Sequence, residues 1–214
     1  MSPEENKQEF LKLFDTYILP VREGALELRE FLEKSSFFDD PASGKYHLNV
    51  PGGLCQHSPN VYHRLWDLLD LEEKRGTIQM PSPSTVAVVS LLHDLCKIGC
   101  YRQEPRNQKT YDPEKVRAAG WGVKHDQLGD FIWETVLQYK FDDPLPFGHG
   151  EKSVWIIQKY LTLSDEEAFA IRYHMGPWPK EEQNNCGKAF ELYPLGCLLF
   201  IADMQATYFD ERES

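Results

Sequence analysis

No segment of this chain is apolar for long enough to cross a bilayer. The longest candidate, Leu195 to Ala202, is roughly a third of the ~20 residues a helical span requires. Positive charge is also scarce. The 23 Lys and Arg stand against 34 Asp and Glu, giving a net charge of −11 and a pI of about 5.1. Such a surface repels a long polyphosphate, which argues against a broad DNA- or RNA-binding face. A small phosphorylated ligand held by a metal ion stays compatible, because the ion supplies positive charge locally. The five cysteines, Cys55, Cys96, Cys100, Cys186 and Cys197, form no Cys-x-x-Cys pair. An odd number in a chain of this size reads as reduced, mostly buried thiols of a cytosolic protein. Cys96 and Cys100 could share a helix face, but a zinc knuckle needs more ligands than these. The opening MSPEENKQEF has no basic n-region and no apolar h-region, so it does not read as a signal peptide, and the expected location is cytoplasmic. Internal repeats and low-complexity segments are lacking as well.

What is present suits a packed domain. Hydrophobic residues make up 41% of the 214 positions and aromatics 13%, enough for a core, so disorder is not expected. The expected arrangement is one domain over residues 1–214. Phe10, Leu11, Phe14, Tyr17 and Ile18 recur at helical spacing between about Glu5 and Leu19. Pro20 can open a second helix through about Lys34. Residues 35–54 look irregular, and a third helix is expected from about Ser58 to Lys74, stopped by Gly76. In PSPSTVAVVSLLHDLCKIG, Ser82 or Ser84 can cap a helix. The β-branched content there would also suit a strand, but the length and the Leu-rich end favour a helix buried on most sides. Residues 100–148 change texture and read as an irregular insertion, with a possible β-hairpin. Helices are then expected over Ser153–Leu161, after the capping box Ser164-Asp165-Glu166-Glu167, and over about Pro194–Phe209. The sum is a mainly α fold with about seven helices.

The chemistry sits where charge is stranded among apolar residues. His93 and Asp94 end an almost wholly apolar run, where an unpartnered carboxylate would cost several kcal/mol. A metal ion is one partner that removes this cost; a helix-end pair facing solvent is the simpler reading of the dipeptide alone. Asp203 lies inside Leu198-Leu199-Phe200-Ile201-Ala202-Asp203-Met204, where a salt bridge or a cap is the alternative to a ligand. Two aspartates stranded in two apolar helices suggest a shared cation. His57 near a helix start, His149 among small neighbours and His174 at a helix end supply imidazoles. His47 and His63 are possible helpers, whereas His125 falls in the insertion. Imidazole with carboxylate suits one or two divalent ions of Mn, Fe, Zn, Co or Ni better than Mg.

The string His93-Asp94-Leu95-Cys96-Lys97-Ile98-Gly99 resembles the HD-x-x-K-x-G signature of the HD-domain metal-dependent phosphohydrolases. Upstream, GGLCQHS resembles the GGL-x-x-H-[ST] string of the exoribonuclease-like branch of that superfamily. A downstream GHGE, a helix-terminal His and a late helical Asp follow in the same order, so the likeness covers about residues 48–210. It implies a helical HD-domain fold for residues 48–210, with residues 1–47 as an N-terminal helical extension and the site in a cleft between helices. It implies that His57, His93, Asp94 and Asp203 form the four-ligand set, and that His149 and His174 are the extra histidines of two-ion members. There the HD aspartate bridges both ions, and the lysine at the position of Lys97 contacts substrate phosphate. The expected catalytic residues are Asp94 and Lys97. The chain departs from some relatives: it has no GYP motif, no preceding OB-type module and a long insertion between Gly99 and His149. These departures speak against cyclic-di-GMP cleavage and long-RNA exonuclease activity. The expectation is hydrolysis of a nucleotide or another small phosphoester. The alternatives are a phosphodiesterase or 3'-5' exoribonuclease on short oligonucleotides or cyclic nucleotides, and a catalytically silent metal- or nucleotide-binding module. No long nucleic acid and no membrane partner is expected, and the oligomeric state is open.

Overall fold

Ser2 caps the first helix, α1 (Pro3–Tyr17): its hydroxyl accepts from Glu5 N while the Glu5 carboxylate accepts from Ser2 N. Residues 2–178 and 183–211 are described by the computed structural model. Over them the chain is mainly α, with nine α-helices and one small antiparallel sheet. Phe10, Phe14 and Ile18 of the first segment sit in the same core cluster as Leu65, Val88, Leu92, Ile171 and Leu199. The N-terminal segment is therefore part of the central packing. No helix among the described residues is long and apolar enough to cross a membrane.

Helix α2 (Ala25–Lys34) begins later than Pro20, because the chain between α1 and α2 turns to send Arg22 inward. Helix α3 (Gly53–Arg75) begins five residues earlier than the apolar pattern alone requires. Gly53 explains the early start: a Cβ there would lie 2.1 Å from Leu48 O, so only glycine lets this end of α3 meet the preceding loop. As a result His57 lies inside α3, the helix against which α1 and the helical segments 83–92, 194–205 and 206–210 pack. Ser82, not Ser84, caps α4 (Pro83–Leu92), and every residue from Val86 to Leu92 is buried. The helix stops at Leu92, and a single 3-10 turn follows over Leu95–Lys97.

The insertion is ordered rather than irregular. Strand β1 (Tyr101–Thr110) pairs antiparallel with β3 (Gly129–Phe141), in register from Tyr101↔Phe141 to Thr110↔Ile132. The short β2 (Lys124–Asp126) covers the other edge of β3. Pro105 falls on β1, an edge strand, where a missing N–H is tolerated. Helix α5 (Pro113–Ala118) folds back on β3. The ribbon stands largely exposed, and a hydrogen bond from Asp142 N to Cys100 O closes its base.

Helix α6 (His149–Ile157) starts four residues before the expected Ser153, so His149 is its first residue. Helix α7 (Asp165–Arg172) carries the expected capping box, with Ser164 and Glu167 bonded reciprocally. Helix α8 (Gln183–Leu192) was not expected. Its Asn-Asn-Cys-Gly start has poor helix propensity, and tertiary contact of Cys186 and Ala189 with Tyr173 holds it instead. Helix α9 (Pro194–Gln205) continues into a wider π-helical turn over Ala206–Asp210.

Glu167 ties three of these segments together. It is fully buried, pairs with Arg22 and accepts from Thr85 Oγ1 at 2.9 Å and from Ser164 N at 2.9 Å. Arg22 Nε also donates to Ser84 Oγ at 2.8 Å. Removing one side of a buried pair leaves the other charge uncompensated. Glu167→Ala should therefore destabilise the chain by about 3 kcal/mol in chemical denaturation, at the lower end for a broken buried pair because Arg22 keeps some solvent contact. A loss near zero would show that the pair does not join the segments.

Candidate metal centre

Five elements bring the centre together. His57 comes from α3, His93 and Asp94 follow the end of α4, His149 opens α6, His174 follows α7, and Asp203 lies in the last turns of α9. All six residues expected as ligands, and Lys97, meet here. His57, His93 and His174 are buried to 1% exposure or less and Asp94 to 3%. Their donor atoms fall into overlapping groups within 4.8 Å: His57, His93 and Asp94; His93, His174 and Asp203; Asp94, His149 and His174.

The ends of two helices set the tautomers of two histidines. His93 Nδ1 lies 2.8 Å from Ser90 O, and His174 Nδ1 lies 2.7 Å from Ile171 O. Both carbonyls belong to a last helical turn, where backbone acceptors have no partner within the helix. A carbonyl only accepts, so Nδ1 carries a proton in each ring, and Nε2 is the nitrogen turned toward the centre. Asp94 can follow His93 into the same space because α4 has ended: its φ of −105° and ψ of 17° are not helical. Gly150 brings the remaining histidine close. A Cβ on Gly150 would lie 2.3 Å from Arg172 O, so glycine alone lets α6 approach the end of α7, and the His149 and His174 rings stand 5.2 Å apart.

The two oxygens of Asp94 face different groups. Oδ1 lies 2.8 Å from His149 Nε2 and 3.5 Å from His174 Nε2. Oδ2 lies 2.7 Å from Lys97 Nζ, 3.5 Å from His93 Nε2 and 3.8 Å from His57 Nε2. Asp203 Oδ1 lies 3.2 Å from His57 Nε2, and the His57 and His93 Nε2 atoms are 3.3 Å apart. Donors bound about 2.1 Å from one ion stand roughly 3–3.5 Å apart, so several of these separations match the edges of a coordination sphere. His174 Nε2 is buried without a hydrogen-bond partner, which a cation would supply. Buried His, Asp and Glu groups here could hold a metal ion, and the residues fit one.

Without an ion, protons would take part of that role. Burial disfavours charge on His57, but the carboxylates of Glu211 and Asp203 outweigh it and raise the imidazole to about 10. At His149, Cys96 and Asp94 outweigh burial and raise the ring to about 9. Burial would raise the Asp94 carboxyl, yet Lys97 and His93 hold it well below its ordinary value, and His57 does the same for Asp203. Burial opposes the Lys97 ammonium, and Asp94 raises it.

Glu211 was missed from sequence. Its carboxylate is 2.9 Å from His57 Nδ1 and accepts from Asn60 Nδ2 at 2.9 Å. It stands in the charged run Asp210-Glu211-Arg212-Glu213, where no apolar neighbour marks it. His47, noted as a helper, groups with His57 and Glu211, and burial lowers it to about 4. His63 and His125 lie elsewhere, paired with Glu9 and Asp130 on the surface. Cys96 Sγ lies 3.4 Å from His149 Nδ1. Lys152 is buried against Cys100 Sγ at 3.2 Å and bonded to Asp143. Glu151 is exposed and pairs with Arg172.

No family model matches the chain, no curated protein matches it, and no solved structure matches it.

Ligation requires Nε2 of His57 and of His149 to lose the proton each carries at neutral pH. Cation affinity should therefore rise as pH climbs toward 9 and 10, and fall as it drops. Calorimetry near pH 7, in buffers of different ionisation enthalpy, should report release of about two protons per chain on filling with Mn or Zn. Affinity independent of pH would contradict this account.

Proposed function

We propose that the chain has the HD-domain fold and is a metal-dependent phosphohydrolase acting on a nucleotide or another small phosphoester. The observation that carries the reading is the split contact of Asp94, one oxygen toward His149 and His174 and the other toward His57 and His93. That is the disposition a carboxylate shared by two ions needs. His57, His93, Asp94 and Asp203 would hold one divalent ion, and Asp94, His149 and His174 a second. The resemblance in the HD-x-x-K-x-G and GGL-x-x-H-[ST] strings supports the same assignment, and imidazole-rich donors favour Mn, Fe, Zn, Co or Ni over Mg.

Such an ion supplies Lewis acidity, which acidifies water and withdraws charge from a phosphoryl group. The chain's own groups do the rest. His93 and His174 are held in one tautomer by helix-end carbonyls, so the donor set is preorganised. Glu211 fixes the His57 ring through Nδ1. Lys97, with its side chain 13% exposed, lies at the mouth of the centre, where it would meet a non-bridging oxygen and stabilise charge developing there. A cavity of about 450 Å³ opens onto Asp94, Lys97 and Asp203, with Tyr46, Met175 and Tyr208 on its walls. This volume falls in the range of small-ligand sites.

A panel of nucleotides and chromogenic phosphomonoesters and phosphodiesters, assayed with Mn, Co, Ni or Zn, tests the reading. Hydrolysis should appear with at least one of these metals and vanish on chelation. Asp94→Ala and His93→Ala should lose both bound metal and activity. Lys97→Ala should keep its metal while kcat falls by about 10²–10³-fold. Full activity in Asp94→Ala would refute the assignment. A metal-loaded chain inert on every substrate would point to the silent binding module.

A further inference from the structure

The β-ribbon has no part in the metal centre, yet it walls a track that leads into it. The cavity over the centre shares Tyr46 with a second cavity of about 560 Å³, between residues 44–46 and the ribbon positions 104–106 and 138–141. The second cavity shares Lys45, Arg106 and Gln138 with a third, of about 470 Å³, which also carries Asn49. Three spaces, each large enough for a small ligand, thus run on from Asp94 along the ribbon.

The lining carries free positive charge. Against a net charge of −11, Lys45 and Arg106 have no carboxylate partner among the described residues, and Arg106 bonds only to the Gln138 side chain at 3.3 Å. Lys140 is neutralised by Glu104 at 3.2 Å, so the free positive charge is concentrated where the second and third cavities join. Beside it stand exposed aromatic faces, Tyr46 at 81% and Phe141 at 53%, which bury nothing in the core. Unpaired cations with bare aromatic rings, spaced along a groove, are the contacts a single nucleic-acid strand takes: phosphate on the cations, bases on the rings. The acidic surroundings limit the attraction to these few positions, which suits a short strand and not a long one.

We infer that the track is a subsite for a short single-stranded oligonucleotide, holding the units beyond the phosphate presented to the centre, with a phosphate at Lys45 and Arg106 and a base on Tyr46. The substrate is then a phosphodiester of a few nucleotides, and the insertion is its binding wall. This rests on the proposed phosphohydrolase reading for the chemistry, but not for the binding.

Two measurements separate the claims. In the first, a fluorescein-labelled oligothymidylate of four residues is titrated with the full chain in chelator, read by anisotropy, with thymidine monophosphate as competitor. The strand should bind about 10-fold or more tightly than the mononucleotide. Lys45→Glu combined with Arg106→Glu should weaken the strand by about 10-fold and flatten its salt dependence by one to two phosphate contacts, roughly 0.7 each, while mononucleotide binding stays the same. Both side chains are exposed, so the thermal unfolding curve should not move. In the second, turnover of bis(para-nitrophenyl) phosphate with Mn is followed in the same proteins and should be equal in wild type and the double variant. Strand and mononucleotide binding alike, or a double variant that binds the strand normally, overturns the subsite even if the chromogenic diester is cleaved. Strand binding that needs Lys45 and Arg106, in a chain that cleaves no phosphoester with any metal, keeps the subsite and removes the phosphohydrolase reading.

Discussion

One buried carboxylate organises the molecule. Asp94 is 3% exposed at the end of a helix that has no polar face, and an uncompensated charge there would cost several kcal/mol. The compensation arrives from four other places in the chain: Lys97 one turn on, His57 from α3, His149 from the start of α6 and His174 from beyond α7. Each contact fixes how one element approaches α4. The arrangement of the helices and the balance of charge around Asp94 are therefore one constraint. This is why Gly150 lies against the carbonyl of Arg172: any side chain there would lift His149 off Asp94.

The same constraint gives the centre two ways to be satisfied. Without an ion, protons on His57 and His149, with the Lys97 ammonium, neutralise Asp94, Asp203 and Glu211. With an ion, the imidazole protons would leave and their Nε2 atoms would become ligands. Because the Nδ1 atoms of His57, His93 and His174 are already engaged by Glu211 and by helix-end carbonyls, the exchange needs little movement of the rings. A folded chain that tolerates both states is what reversible loading of a metal requires.

Much of this was legible in sequence, and the reason is energetic. A carboxylate inside an apolar helix is rare unless something neutralises it, so Asp94 and Asp203 announced themselves by their neighbours alone. The capping box of α7 and the stop at Gly76 were legible because they are local. Glu211 was not, because an acid among acids carries no sign of burial; only the π-helical turn after α9 carries it back to His57. Lys152 was hidden for a related reason, since its partners Cys100 and Asp143 flank the ribbon, whose fold brings the two together. The start of α6 and the existence of α8 depend on tertiary contacts, which periodicity does not encode.

The ribbon shows why overall charge and local charge answer different questions. A net charge of −11 acts over the whole surface and is screened within about 10 Å at moderate salt, so it governs how a long polyanion approaches. It does not govern what happens at Lys45 and Arg106, where a phosphate would stand in contact with two cations that no carboxylate among the described residues neutralises. An acidic chain with a short cationic track admits a few phosphates and turns away many. The surface that argued against a nucleic-acid protein at large is thus the same surface that would set an upper length on the strand reaching Asp94.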